Sequence, residues 1–438
     1  MSDSARPIRI VVFAPEPISR RLTGPNIRAL EMARQLAGFF HTVLWAPNET
    51  GLFQAEPFQT RAGSRRDALK QLDQFDVAVS QGAQYPARGI ARASRRGPVQ
   101  VFDLYDPLLF EALSGQINAG LPEDDQLSHL RRLTALILKR GDFFLCASPR
   151  QRDLWLGALY VLGRFGPRAL RPRPEDYVAV APFGHSGENP IRTRSVLKGV
   201  YPGIAAGDKI VLWGGGIWNW LDPLTLIRAM GQIATERPDV KLFFLAARGP
   251  GKESRGGEMA QKAQSLAREM GLVDRAVFFN EEWVAFEERA NWLLEADLAV
   301  CTAPEGMENA FSFRTRLVDA VWARTPIVCT HGGFMGHFVE NNEIGLTASG
   351  QNVADLKAKI LAALKPDMQH RFRANLAARR DALAWDNCLR PLVEFCRKVE
   401  RGEFRRPPER YWAPWLQYCA YKAPTLLERA FTFPAKPL

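Results

Sequence analysis

The stretch from Phe311 to Gly333 constrains this chain more than any other segment. Ser312 has the chemistry of a helix N-cap. Leu317 and Val321 follow at helical spacing and give the helix an apolar face. Pro326 stops the helix, and Ile327-Val328-Cys329 is a short apolar run of strand-forming residues. His331-Gly332-Gly333 then supplies a loop. A helix feeding a buried strand that opens into a glycine loop is a repeating unit of a doubly wound α/β sheet. In such sheets ligands bind beyond the carboxyl ends of the strands. Asp319, in the helix, and Gly332 and Gly333, after the strand, are therefore expected to border one crevice.

The same alternation runs along the whole chain. In the first half, Ile8 to Ala14 reads as a strand and Gly24-Pro25 as the start of a helix, with proline at its first turn. Further strands are expected at Thr42–Trp45, Asp76–Ser80, Val99–Asp103, Phe143–Ala147 and Val178–Val180. A long helix is expected over Asp124–Lys139, and Ser148 is expected to cap the helix that starts at Pro149. The second half restarts with a strand at Ile210–Trp213, the loop Gly214-Gly215-Gly216 and a helix from Pro223. Strands at Lys241–Ala246, Val277–Phe279 and Leu298–Cys301 follow, with helices over Glu258–Met270 and Phe286–Leu294 between them. With 438 residues the chain exceeds one ordinary core. The expected organisation is a first Rossmann-like domain over 1–184, a linker over 185–207, a second over 208–383 and a helical, aromatic tail over 384–438. The fold class is α/β, with two parallel doubly wound sheets facing across a cleft.

Composition excludes several classes. No apolar run approaches the roughly 20 residues of a membrane-spanning helix. The polar residues Met1 to Arg9 lead straight into a strand and do not form a signal peptide. Six scattered cysteines have no metal-ligand spacing, which points to free thiols in a reducing cytoplasm. A net charge of +11 favours anionic partners. Nucleic acid is not expected, because no binding signature for it appears. Arg405 to Trp415 mixes cations with aromatic rings, a combination suited to peripheral contact with the inner face of a membrane.

Three strand ends carry candidate chemistry. Gly214, Gly215 and Gly216 let backbone N–H groups approach a pyrophosphate, and the next helix N-terminus favours negative charge. Thr302 to Gly306 follows another strand end and brings Glu305 and, just beyond, Glu308 to the crevice. Asp103-Leu104-Tyr105-Asp106 follows a third. It is not an Asp-x-Asp metal motif, so neither a metal nor a cofactor is expected. There is no nucleophile elbow of the Gly-x-Ser-x-Gly type, and Pro15-Glu16-Pro17 stands where a dinucleotide-binding enzyme has its glycines.

The order of these motifs resembles retaining glycosyltransferases of family 4, which have the glycosyltransferase B fold. The resemblance is strongest from Ile210 to Leu346. It implies transfer of a sugar from a nucleoside diphosphate donor to a glycan or lipid-linked acceptor, in surface polysaccharide assembly, without metal. It implies donor contacts at Gly24, Gly214, Gly215, Gly216, Glu305, Phe313, Gly332 and Gly333, and catalytic groups among Asp103, Asp106, Arg248 and Glu308. The chain departs from the family in two places. Many members carry an arginine where Gly216 stands and a lysine near Leu221, so an arginine from elsewhere is expected to meet the phosphates: Arg248, Arg314 or Arg316. The family also has two glutamates eight positions apart. Asp319 takes the place of the second, which holds ribose hydroxyls, and Phe311 falls on the first. These departures keep a second reading open, a sugar-nucleotide-binding scaffold without catalysis.

Overall fold

The computed structural model describes residues 7–49, 51–53, 55–82, 97–119, 125–165, 173–246 and 257–406. Thirteen strands among them form two all-parallel sheets. The first sheet contains β1 (Arg9–Phe13), β2 (His41–Ala46), β3 (Gln59–Ala62), β4 (Val77–Gln81), β5 (Val99–Asp103), β6 (Phe143–Cys146) and β7 (Val178–Val180), in the order β3-β2-β1-β4-β5-β6-β7. The second contains β8 (Lys209–Gly216), β9 (Val240–Ala246), β10 (Val277–Phe279), β11 (Leu298–Cys301), β12 (Ile327–Thr330) and β13 (Gly345–Ala348), in the order β10-β9-β8-β11-β12-β13. Each sheet reverses direction beside its first strand, as doubly wound sheets do.

Helices cover both faces of each sheet, so the central strands must be apolar on both sides. Ile10, Val11, Val12, Val77, Ala78 and Val79 are buried without alternation, and so are Ile210, Val211, Leu212, Val300 and Val328. The edge strand β3 lacks this pattern. Its Gln59, Thr60 and Ala62 are exposed, which hides the strand from any hydrophobic reading of the sequence. Helices over Gly24–Ala37 and Pro223–Glu236 begin where proline and capping residues place them. Asp222 accepts the Thr225 N–H at 3.0 Å at the start of the latter. Ser148 likewise caps the helix Pro149–Val161 by accepting the Gln151 N–H at 3.2 Å.

Two local expectations are corrected. Strand β8 does not end at Trp213. After a bulge between Trp213 and Gly216 it keeps pairing with β9, so the three glycines finish the strand instead of forming a loop. Ser312 does not cap the following helix, because its hydroxyl donates to Glu308 at 2.5 Å and the helix starts at Thr315.

The chain returns to the first domain after the second sheet. Trp385 packs on Phe183 at 4.7 Å. In the helix Arg390–Glu400, Phe395 stacks on Phe143 at 4.0 Å with the rings 3° from parallel. Arg406 reaches Asp142 at 3.1 Å. The aromatic tail beyond Arg406 lies outside the described residues. Among the described residues no helix is long and apolar enough to cross a membrane. The five cysteines there are buried free thiols.

Candidate active site

The carboxyl ends of the two sheets face one another. Segments that follow β1, β5 and β6 in the first domain touch segments that follow β8, β10 and β11 in the second. The Arg20 carbonyl accepts the Phe286 N–H at 3.1 Å, and the Leu22 carbonyl accepts the Trp283 indole N–H at 3.3 Å. Gln151 spans the junction, donating to the carbonyls of Tyr105 at 2.8 Å and Phe311 at 2.7 Å. Phe110 stacks on Phe311 at 5.1 Å. Phe311, standing where a glutamate was expected by resemblance, thus closes the cleft at this point with an apolar contact.

Beside this contact, helix N-termini converge. Gly24 opens the helix Gly24–Ala37 and lies against Thr315, which opens the helix Thr315–Ala323. A Cβ at Gly24 would sit 3.7 Å from the Thr315 hydroxyl. Gly333 opens a third helix, Gly333–Asn341, at the end of β12. None of the three has an acidic residue in its first turn. Their free N–H groups and dipoles are therefore not neutralised from within the chain, an arrangement that favours an anion.

Arg316 adds a full charge to this region. Its guanidinium lies 5.0 Å over the Trp213 ring, immediately before the glycine run, and its Nη1 is buried without a hydrogen-bond partner. The Arg316 carbonyl is 3.8 Å from where a Gly214 Cβ would be, so helix start and glycine run are packed together. Burial, foremost, and the neighbouring Arg314 charge hold the Arg316 pKa below its usual range. Burying a cation with an unmet donor is costly, and a bound anion would offset that cost.

Arg314 is placed differently. It forks onto Glu308, with Nη1 to Oε1 at 2.7 Å and Nη2 to Oε2 at 2.6 Å. Glu308 also accepts the Ser312 hydroxyl and is buried. Glu308 is thus the counterion of Arg314, with two donors on Oε1 and one on Oε2, and each neutralises the other's charge where a catalytic carboxylate and a phosphate-binding arginine were expected. Arg314 lines a small cavity with Ser312, Asn309, Gly332 and Gly333. Asn309 secures the glycine loop by donating to the His331 carbonyl at 2.9 Å.

Asp103 requires a similar correction. It is buried and its carboxylate is filled by Arg28, with Nε to Oδ2 at 2.5 Å and Nη2 to Oδ1 at 2.9 Å. A carboxylate held this way positions the loop after β5 but does not reach a reacting atom. Asp106 remains exposed to the cleft in part. It shares a hydrogen bond with Glu111, and burial together with the charges of Glu308, Asp103 and Glu16 pushes its pKa up to about 6. Burial and the Asp106 charge hold Glu111 well above its ordinary value, so the two carboxyls titrate as a coupled pair.

The remaining expected residues sort by position. Asp319 receives Arg289 Nε on Oδ1 at 3.3 Å and is about one-third exposed. Arg289 itself is held between the rings of Phe286 at 3.5 Å and Trp322 at 4.5 Å. Glu305 is exposed and turns to the Gly350 N–H at 3.1 Å, towards the β13 side. Phe313 is buried against Phe334 at 4.9 Å and is a packing residue. Arg248 lies outside the described residues. Sequence reasoning missed Arg28, Glu111 and Gln151. Each belongs to a helix whose polar residues look solvent-facing in the sequence, yet Arg28 is taken up by Asp103, Ala181 and Pro182 within the first domain and Gln151 reaches Phe311 in the second. Among the described residues no three His, Cys, Asp or Glu side chains are grouped to hold a metal ion.

Comparison with known proteins agrees with this geometry. Residues 208–366, from β8 to beyond β13, match the family of glycosyl transferases group 1. A D-inositol 3-phosphate glycosyltransferase of Streptomyces scabiei is 27% identical over 194 residues, covering 44% of this chain and 42% of that protein. The chain therefore matches less than half the length of that relative. HepE of Anabaena, solved with UDP and glucose, superposes over 89% of this chain and all of its own with a TM-score of 0.64 at 14% identity. Sucrose-phosphate synthase of Thermosynechococcus elongatus superposes over 91% of this chain and all of its own, with a TM-score of 0.64 at 18% identity. The two facing parallel sheets are the glycosyltransferase B fold.

Proposed function

We propose that this chain is a glycosyltransferase that takes a sugar from a nucleoside diphosphate donor seated on the second domain and delivers it to an acceptor held by the first. The observation that carries the reading is Arg316. It is a cation with a buried, unmet donor, at the glycine end of β8, where helix N-termini without first-turn acids meet. A diphosphate satisfies all of these at once. The match of residues 208–366 to glycosyl transferases group 1 supports it. So does HepE, whose structure of the same fold contains UDP and glucose.

In the reaction the bond between the sugar's anomeric carbon and the diphosphate breaks, and a bond from that carbon to an acceptor hydroxyl oxygen forms. The hydroxyl proton leaves with a phosphate oxygen of the departing diphosphate. Attack from the face the diphosphate leaves retains the configuration. Arg316 and the helix N-termini stabilise the growing negative charge, and the closed Phe110–Phe311 contact keeps water out. We assign no metal to this step. The acceptor is a glycan or a lipid-linked sugar of surface polysaccharide assembly, met at the cytoplasmic membrane face. The lipid-linked version predicts binding to anionic vesicles that weakens as salt rises.

One observation favours a non-catalytic sugar-nucleotide-binding scaffold as the second reading: Phe311 and the Arg314-paired Glu308 leave the sugar end of the donor site short of free carboxylates. Incubation with a panel of sugar nucleotides and an acceptor glycolipid extract separates the two. Diphosphate release that depends on acceptor and survives chelation supports the transferase. Binding without release supports the scaffold.

A further inference from the structure

Gly216 is a glycine for a reason that phosphate binding does not supply. Its backbone is not in the left-handed region, so any residue could adopt it. What crowds a side chain here is a cluster of indoles: a Cβ would lie 3.1 and 3.2 Å from Trp218 and 3.2 Å from Trp283, so the rings would have to give by a few tenths of an ångström. Trp218 and Trp220 lie parallel, 7° apart, with ring centroids at 5.7 Å, and Trp283 leans on Trp218 at 6.5 Å. Trp283 is fixed across the domain junction by its bond to the Leu22 carbonyl. Trp218 and Trp220 are half-buried, and neither indole N–H has a partner among the described residues. Asn219, between them, borders the first domain while its Oδ1 accepts the Met259 N–H at 3.1 Å. A Cβ at Gly115, in the helix Leu108–Ala119, would sit 4.0 Å from it.

We propose that Trp218 and Trp220 form a stacking platform for a pyranose ring, next to the diphosphate that Arg316 and the glycine run receive. The proposal rests on the sugar-nucleotide reading for its neighbour but not for its own chemistry. An indole face takes up the apolar C–H face of a pyranose, and an indole N–H at its edge donates to a ring hydroxyl. The platform lies between the phosphate-binding end of β8 and the first domain, where a sugar enters or leaves the reaction. The glycine at 216 and the tryptophans at 218 and 283 fit one another, because the indoles crowd the space a side chain at 216 would use. The ring is either the donor's own or the acceptor's, and the two sources are separable.

The test uses the full chain with Trp218→Leu and Trp220→Leu, which keep an apolar side chain in place. UDP and UDP-glucose are titrated calorimetrically, and methyl α-glucopyranoside and methyl α-mannopyranoside are titrated by indole N–H nuclear magnetic resonance. Shifts of the Trp218 and Trp220 N–H signals in the parent are expected with UDP-glucose or with a free pyranoside, and not with UDP alone. If the ring is the donor's, the leucine variants lose about tenfold in UDP-glucose affinity and keep that for UDP. If it is the acceptor's, UDP-glucose affinity is kept and the pyranoside shifts are lost. Equal losses for UDP and UDP-glucose would put a nucleobase on the platform and overturn the proposal. So would an absence of shifts with every sugar-bearing probe. A parent that binds neither nucleotide defeats the donor reading, while the free pyranosides still decide the platform.

Discussion

Arg28 and Asp103 bind each other in the interior of the first domain, with neither side chain reaching solvent. The same guanidinium donates to the carbonyls of Ala181 at 2.7 Å and Pro182 at 2.9 Å, and lies 4.7 Å over the Tyr105 ring. One arginine thus ties the helix Gly24–Ala37 to the end of β5 and to the chain leaving β7. These are the segments that form the first domain's side of the cleft.

Removing Arg28 leaves a carboxylate buried without its charge partner. Arg28→Ala is expected to destabilise the protein by about 3–5 kcal/mol, read as a lower urea midpoint. Asp103→Asn is expected to lower the midpoint as well while leaving UDP affinity intact. An Asp103→Asn protein that is fully stable yet inactive would return Asp103 to the reacting centre.

Arg314 and Arg316, two positions apart, should behave oppositely. Arg314→Ala strands the buried Glu308 and should act mainly on stability. Arg316→Ala relieves a buried cation, so it should fold at least as well as the parent. It should also lose about 1.5–3 kcal/mol of diphosphate binding, the range for hydrogen bonds to charged groups. Thermal unfolding with and without UDP distinguishes the two. Equal UDP-induced stabilisation of parent and Arg316→Ala would remove Arg316 from the phosphate site.

The Asp106–Glu111 pair makes stability depend on pH. The Asp106 proton is held more tightly in the folded chain than in the unfolded one, since its pKa moves from 3.8 to about 6. The contribution is therefore fully present below the ordinary carboxylate range and is lost as pH rises through about 6. Asp106→Asn should flatten this part of the profile, raising melting temperature relative to the parent at pH 8 and having least effect near pH 4. A parent and variant with parallel melting profiles from pH 4 to 8 would contradict the raised Asp106 pKa.

Gly333 is restricted by both its backbone and its surroundings. Its φ is +62°, and a Cβ would lie 2.5 Å from the Asn309 carbonyl oxygen. Gly333→Ala is expected to cost about 1–3 kcal/mol and to weaken UDP binding by moving the helix start. Retention of the parent's melting temperature and UDP affinity would show that the loop adjusts freely.

Much of this architecture was legible because parallel strands covered on both faces are continuously apolar. Val178–Val180, Val277–Phe279 and Leu298–Cys301 were read to the residue. The edge strand Gln59–Ala62 was not, since one of its sides meets water and its composition is polar. At the site, glycines and helix starts are local signals, and they led to Gly214 to Gly216, Gly332 and Gly333. Commitments between distant segments leave no local signal. Arg28 lies 75 positions from Asp103, and Gln151 lies 160 from Phe311. The same blindness made Asp103 and Glu308 look like free carboxylates. Both are carboxylates at strand ends, and only the fold reveals the arginine already holding each one.

The central claim is that a sugar nucleotide's diphosphate sits on the second domain against Arg316. Calorimetric titration of UDP into the parent, Arg316→Ala and Arg316→Lys tests it most directly. The account predicts saturable one-to-one binding to the parent, a loss of about tenfold or more in Arg316→Ala and partial recovery in Arg316→Lys, because a point charge replaces a forked donor. Indistinguishable binding to all three folded proteins would contradict it.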